Sequence, residues 1–540
     1  MELRSLTLDE IEMMLRNGCY ADDWGAISVA EDFTADNIRR TAFYGCITIG
    51  ENCVLDNVGC IRNTGDSTFG ENNRISVMNE AGSGNVTIHS RLTSQEAALS
   101  MMLDKPLPAK TLNENAQTTI GSNTRITNTR EITNVIIADN CELAGVSRLT
   151  DCTLAGEETF IGTDVICENV IVKTGASITD GAKLYNCFVG EAVHIGKGFS
   201  AESSLFFANS YMDNGEACAA FCGPFTVSHH KSTLLIGGQF SFYNAGSNTN
   251  FSNHAYKMGP VHYGTMERGA KTASGAHILL PAQIGAFSMV MGKVQNHPDT
   301  RSLPFSYVIA DASGTGIVPG RNFATVGTYR DVSKWSKRDM RTVKQETVNF
   351  DWMNPMVMGA VAKGKQLLET LQEEQGRCQS CYVTDDGCTI RNQSLIKGLK
   401  YYDMAIRMYL GEMLERHGAY LPETTLGSGE WVDLAGLLAP KSEIDAIVSD
   451  CNNGCYDDIV SRMQEIHDNY EEYKWAWTYR LATGYYDLDT ITPDDAEEII
   501  SQGKEARRQW TDAIRRDAEK EFEMGDMDEG VLNDFLAALE

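Results

Sequence analysis

The sequence predicts a long parallel β-helix with a short N-terminal helical cap and a C-terminal α-helical domain, and three observations carry that reading. From about residue 43, apolar residues recur every six positions. The runs are Phe43, Ile49, Leu55 and Ile61; Ile120, Ile126 and Ile132; Ile137, Leu143 and Leu149; Ile166, Val172, Ile178 and Leu184; and Ile278, Ile284 and Val290. Many aliphatics in this stretch precede a glycine, as in Ile49-Gly50, Ile120-Gly121, Ile161-Gly162, Ile195-Gly196, Ile236-Gly237 and Ile284-Gly285. Past Arg330 the beat gives way to apolar spacings of three and four. A period of six fits neither an amphipathic helix nor a long alternating strand. It suits short strands that each point one apolar side chain into a prism, with Gly, Asn and Asp at the turns.

At 540 residues the chain is too long for one growing core, so several domains are expected. Residues 1–40 form the cap: Thr7-Leu-Asp-Glu10 is a capping box, and the helix it opens should stop at Gly18. A solenoid needs such a terminal cover. Residues 41–330 are the β-helix. An insertion at about 90–116, containing Ser94–Leu103, Pro106 and Pro108, suits a short helix plus an excursion, and a polar block at 218–275 overlies the hexads without abolishing them. Residues 331–540 are the helical domain, with helices expected around 334–346, 354–375, 392–417, 442–450, 456–482 and 493–538. Pro355, Gly376, Gly418 and Pro440 punctuate them, and Tyr401, Tyr402, Met404, Met408, Tyr409 and Met413 read as a helix core.

The formal charge of −28 argues against a nucleic-acid surface and an anionic membrane. No apolar run is long enough for a bilayer, and the N-terminus lacks the basic start and apolar stretch of a signal peptide, so a cytoplasmic location is expected. Fifteen cysteines should then be mostly reduced, with Cys46, Cys53, Cys141, Cys152, Cys167 and Cys187 serving as small core residues. Cys378, Cys381, Cys388, Cys451 and Cys455 are spaced too loosely for a recognisable zinc motif, and no metal is expected.

The aliphatic-Gly hexads resemble the left-handed β-helix superfamily of hexapeptide-repeat transferases, which includes acyltransferases and sugar-nucleotidyltransferase-like proteins. The left hand is implied by that resemblance, since the general preference for right-handed crossovers would not predict it. The chain as a whole resembles a group of β-helical proteins from gut Bacteroidales, a resemblance that implies no activity.

Six of the ten histidines fall between His229 and His297, where a solenoid should show only turn residues and small aliphatics. In Ser252-Asn-His254-Ala-Tyr256-Lys257-Met-Gly259, the pattern is loosely similar to a stretch in the acetyltransferase half of bifunctional N-acetylglucosamine-1-phosphate uridyltransferases. The resemblance implies that His254 is a general base, taking a proton from an acceptor as it attacks a thioester. Asn250, Asn253 and His262 would orient the acceptor. His229, His230, Lys231, Lys257, Arg268 and Lys271 form a local surplus of cations and imidazoles suited to phosphate. On a strand, His229 and His230 would face opposite ways. His297, Asp299 and Arg301 could line the same cleft, or Asp299 and Arg301 could simply fix their loop.

The expected activity is therefore acyl transfer from an acyl-CoA donor to a sugar or nucleotide-sugar acceptor. A non-catalytic ligand-binding or scaffolding solenoid is the alternative. A sugar-nucleotidyltransferase-like protein is a second one, but it would lack a nucleotidyl domain, because no glycine-rich loop and no space for it precede residue 43. The three-histidine spacing of γ-class carbonic anhydrases, which share the solenoid, is absent. Related solenoid transferases are commonly trimers, so a homo-oligomer is expected, with the helical domain either adding an interface or blocking that arrangement.

Overall fold

The computed structural model describes residues 2–82, 84–109, 116–252, 263–377, 379–525 and 529–539. Asn253, His254, Lys257, His262 and Cys378 lie outside the described residues. The expected fold class is present: a parallel β-solenoid of about 15 turns, with helix at the N-terminus and a helical C-terminal region. By contact the chain divides into two compact units, residues 1–240 with 245–263 and 339–346, and residues 241–244 with 264–338 and 347–540.

In the first unit, strand registers stack the apolar beat into three columns. One runs Leu55, Ile126, Leu143, Ile161, Ile178, Ile195, Met212. A second runs Ile61, Ile132, Leu149, Cys167, Leu184, Ala201, Ala217, Leu235. The third runs Ile49, Ile120, Ile137, Leu154, Val172, Val189, Phe206, Cys222, Phe240. All these side chains are buried, so each coil contributes three apolar residues to a continuous dry prism. Phenylalanines and cysteines replace aliphatics in the later coils.

The corners are turned by residues with positive φ, mostly Asn and Asp, such as Asn52, Asn123, Asn140, Asp180 and Asn186. Several of these asparagines also bond to one another from coil to coil. Asn52 donates to Asn123 at 3.3 Å and Asn123 to Asn140 at 3.2 Å.

The N-terminal helix is Leu8–Arg16, and both bonds of the Thr7–Glu10 capping box form. Within the first forty residues, Ile27–Ala30 already pairs in parallel with Ile47–Ile49, so strand pairing begins ahead of the hexad beat. The excursion is wider than 90–116. Ile49 pairs with Ile120 and Ile61 with Ile132, so residues 63–117 separate two adjacent coils. The excursion holds a small hairpin, Arg74–Ile75 with Val86–Thr87, and the helix Ser94–Ser100. Its aliphatics Ile75, Val77, Val86 and Ile88 are buried, which is why this stretch does not read as a loop. Cys46 is exposed rather than a core residue, because it lies in the bend between two strands.

The second unit opens with coils of the same kind, Thr265 pairing with Gln283 and Lys271 with Met289, which in turn pairs with Tyr307. An antiparallel hairpin, Tyr307–Asp311 with Gly314–Val318, closes this part. Helices follow at Val326–Lys334, Pro355–Gln375, Asn392–His417, Lys441–Asn452, Ile459–Asp468, Tyr470–Tyr486, Pro493–Met524 and Glu529–Leu539. Asn392–His417 and Pro493–Met524 touch backbone to backbone, since a Cβ on Gly411 would lie 2.6 Å from the Gly503 Cα.

Three helix expectations need correction, one of them 493–538, which holds two helices, Pro493–Met524 and Glu529–Leu539. Residues 339–346 form no helix: they belong to the first unit, where the Glu191 carboxylate takes the Lys344 and Gln345 amides. The segment 456–482 is two helices broken at Asn469. Pro355 opens the helix expected over 354–375, with Asn354 as the cap.

Candidate functional site

In the first unit a histidine–carboxylate pair stands on the outside of the prism. On the strand His194–Gly196, Ile195 points inward and His194 therefore outward. Register places Tyr211 directly beside His194 on the next coil, and Gly196 beside Asp213. The Tyr211 ring stacks on the imidazole, 4.4 Å between centroids.

Asp213 reaches back so that its Oδ1 lies 3.2 Å from His194 Nε2, while its Oδ2 accepts from Lys197 Nζ at 2.6 Å. The carboxylate side chain is 1% exposed and the imidazole 30%, so the acid is held inside the wall and the base faces outward. A Cβ on Gly196 would lie 3.0 Å from Asp213 Oδ1 and 3.1 Å from His194 Nε2; glycine at this position is what leaves room for the pair. An ionised carboxylate only accepts, so the Nε2 proton belongs to this bond and Nδ1 carries the free lone pair.

The next coil adds His229, whose ring meets Tyr211 edge-on at 6.3 Å and the His230 ring at 4.2 Å. The two histidines lie past the strand Val227–Ser228, in a turn, so they sit together instead of on opposite faces. Burial holds the His229 imidazole below its usual range, with the charge of His230 adding to the effect. Lys231 is exposed beside them, and Asn250 is half-buried on the strand Asn250–Ser252 of the same unit.

The remaining expected residues belong to the second unit. The expectation that Arg268 and Lys271 hold phosphate is corrected by their partners. Arg268 is fully buried, donates from Nε to Asp433 Oδ2 at 2.8 Å and from Nη1 to the Asn349 carbonyl at 2.6 Å, and lies over the Phe242 ring. Lys271 pairs with Asp331, which also receives Lys334. His297 bonds the Leu279 carbonyl through Nδ1 at 3.3 Å. Arg301 forks onto Asp299, with Nε 2.9 Å from Oδ1 and Nη2 2.5 Å from Oδ2, so this pair does brace its own loop; both residues also line a cleft of the second unit.

Sequence reasoning did not select His194, Tyr211 or Asp213. The signal was present as outward polar residues repeated at the coil spacing, on the two coils before the histidine-rich stretch. Among the described residues, no group of three or more His, Cys, Asp or Glu side chains is arranged to hold a metal ion. Among them too, no helix is long and apolar enough to cross a membrane.

A family described as a domain of unknown function (DUF4954) matches residues 3–54 and 47–372. The chain belongs to that family. A second family, also described as a domain of unknown function (DUF6819), matches residues 414–529. No protein of curated function matches the sequence. Among solved structures, the chain is similar to an Arabidopsis UDP-N-acetylglucosamine acyltransferase at 12% identity and a TM-score of 0.19, over 47% of this chain and 84% of that one. It is also similar to a presumptive acetyltransferase from Desulfovibrio desulfuricans G20 at 12% identity and a TM-score of 0.13, over 62% and 86% of the two chains. Likenesses at this level carry no argument about activity.

Proposed function

We propose that this protein transfers an acyl group from an acyl-CoA thioester to a hydroxyl or amine of a sugar or nucleotide-sugar acceptor, with His194 as general base. The observation that carries the reading is the outward imidazole oriented by an inward carboxylate, His194 against Asp213. As the acceptor oxygen or nitrogen attacks the thioester carbonyl, its proton passes to His194 Nδ1. Collapse of the tetrahedral adduct breaks the C–S bond, and the imidazolium returns that proton to the departing thiolate. Asp213 keeps its bond to Nε2 throughout and holds the ring in that orientation. Lys231 and the neighbouring histidines supply positive or hydrogen-bonding groups for phosphates of the donor or acceptor.

The test is to incubate the full chain with acetyl-CoA and a panel of sugars and UDP-sugars and to follow acetylated product by mass spectrometry. Product formation by the wild type and its loss in His194→Gln support the reading. No product from any acceptor, or undiminished product from the variant, overturns it. Saturable sugar binding without transfer would point instead to a ligand-binding solenoid.

A further inference from the structure

The second unit holds a cleft of about 810 Å³ lined wholly by its own residues, within the size range of small-molecule sites. One side is the helix Pro355–Gln375, contributing Met356, Leu367 and Leu371, and two tryptophans, Trp431 and Trp477, add aromatic surface. The polar lining is unbalanced. Arg301, Lys363 and Lys441 are its cations, and each is matched by a carboxylate: Asp299 for Arg301, Glu430 at 2.6 Å for Lys363 and Asp445 at 2.5 Å for Lys441. Glu267, Glu374, Asp385 and Asp386 also line the cleft, and among the described residues none of them forms an ion pair with a cation. Asp386 is engaged by the Asp299 and Cys388 amides and the Thr384 hydroxyl. A phosphate or carboxylate ligand would meet the surplus negative charge of Glu374, Asp385 and Asp386 here, whereas ammonium groups would meet carboxylates and their methylenes the edges of the two tryptophans that line the cleft.

We propose that this cleft binds a small organic cation with more than one ammonium group, a polyamine by chemical class, through Glu267, Glu374 and Asp385 with Trp431 and Trp477 against its methylenes.

Glu267 gives the site a signature of its own. Its Oε2 accepts the Ala286 amide at 3.1 Å, and the groups acting on it are Arg301, Asp299 and Asp433. Burial, with Asp433 and Asp299 adding, pushes its carboxyl up to about 8 against the opposing Arg301 and Ala286 amide, although part of the residue still borders the cleft. At neutral pH it therefore holds a proton, which an ammonium group placed beside it would expel.

The experiment is titration calorimetry of the full chain with spermidine at pH 7, at about 0.15 M salt so that diffuse attraction to the acidic surface is screened. Two buffers of different ionisation enthalpy report proton exchange. One saturable site with proton release is expected. Glu267→Gln should abolish the proton release, and Glu374→Gln and Asp385→Asn should each weaken binding several-fold. Asp494→Asn, on an exposed helix end away from the cleft, should change nothing. Absence of saturable binding, equal affinity in Glu374→Gln, Asp385→Asn and wild type, or saturable binding of inorganic phosphate in place of spermidine overturns the proposal. None of these outcomes bears on His194, so the two readings fail separately.

Discussion

His194 and Asp213 meet across two neighbouring coils, Nε2 to Oδ1 at 3.2 Å, over a glycine that no other residue could replace without touching both. Their contact depends on the coil length: a coil of 17 residues sets His194 beside Tyr211, and Asp213 lies two positions on, where side chains return to the same face. If this pair is the acid–base centre, His194→Gln should lower acyl transfer by about 100-fold or more, with Asp213→Asn falling in the same direction. Gly196→Ala leaves both side chains in the sequence but forces a Cβ within 2.8 Å of Thr179 Oγ1 as well as against the pair. It should lower transfer too, and lower stability by about 1–3 kcal/mol. Product assays alongside thermal unfolding separate the two effects. Full transfer by Gly196→Ala would show that the close contact is immaterial.

The prism was legible in the sequence because every coil must bury the same three positions, and burial is what repeats. Ile166 shows the limit of that reading. It falls on the six-residue beat, yet register puts Cys167 in the column between Leu149 and Leu184, leaving Ile166 partly exposed. A coil that departs from three equal hexads shifts the inward position by one, and composition alone does not mark the shift. The site was less legible for a related reason. Histidine density is highest over residues 229–297, but local density does not register Asp433, 165 residues beyond Arg268, or Asp331 beside Lys271. Those carboxylates turn apparent ligand-binding cations into structural pairs.

The cysteines divide sharply by position. Cys152, Cys167, Cys187 and Cys222 point into the prism, and burial pushes the Cys152 and Cys187 thiols up to about 12 and the other two upward as well. With almost no thiolate at pH 8, they should resist alkylation in the native protein. Cys46, Cys381 and Cys455 are exposed and should react. Brief labelling with N-ethylmaleimide, followed by peptide mapping, should find adducts at the exposed set and none in the column until denaturant is added. Early labelling of Cys167 would contradict the dry core.

Arg268 and Asp433 make a different kind of bond from the surface pairs of this chain. The arginine side chain is fully buried and the aspartate 8% exposed, and among the described residues Arg268 Nη2 has no hydrogen-bond partner. Removing one member strands a buried charge, which typically costs about 3–5 kcal/mol. Asp433→Ala should therefore shift the denaturation midpoint markedly downward. The double variant Arg268→Met with Asp433→Ala, which removes both charges, should recover much of that loss. If Asp433→Ala unfolds at the wild-type midpoint, the guanidinium is solvated and the buried pair is not a structural element.

Glu267 makes the stability of the second unit depend on pH in a direction opposite to that of an ordinary ion-paired carboxylate. Its carboxyl is raised from about 4.5 to about 8, chiefly by burial, so between those values the folded chain holds a proton that the unfolded chain has lost. Stability rises with pH only where the unfolded state binds more protons, and here the folded state does. The contribution of Glu267 is therefore fully present below about pH 4.5, declines as pH rises through 8 and is flat above. Glu267→Gln keeps the shape and hydrogen-bonding capacity but removes the titration. Melting temperatures of wild type and variant should then diverge steadily across pH 5 to 8, the variant losing less stability as the pH rises, and run parallel above pH 9. Parallel curves over the whole range would mean that water reaches the carboxylate freely, and the proton release expected on spermidine binding would vanish with it.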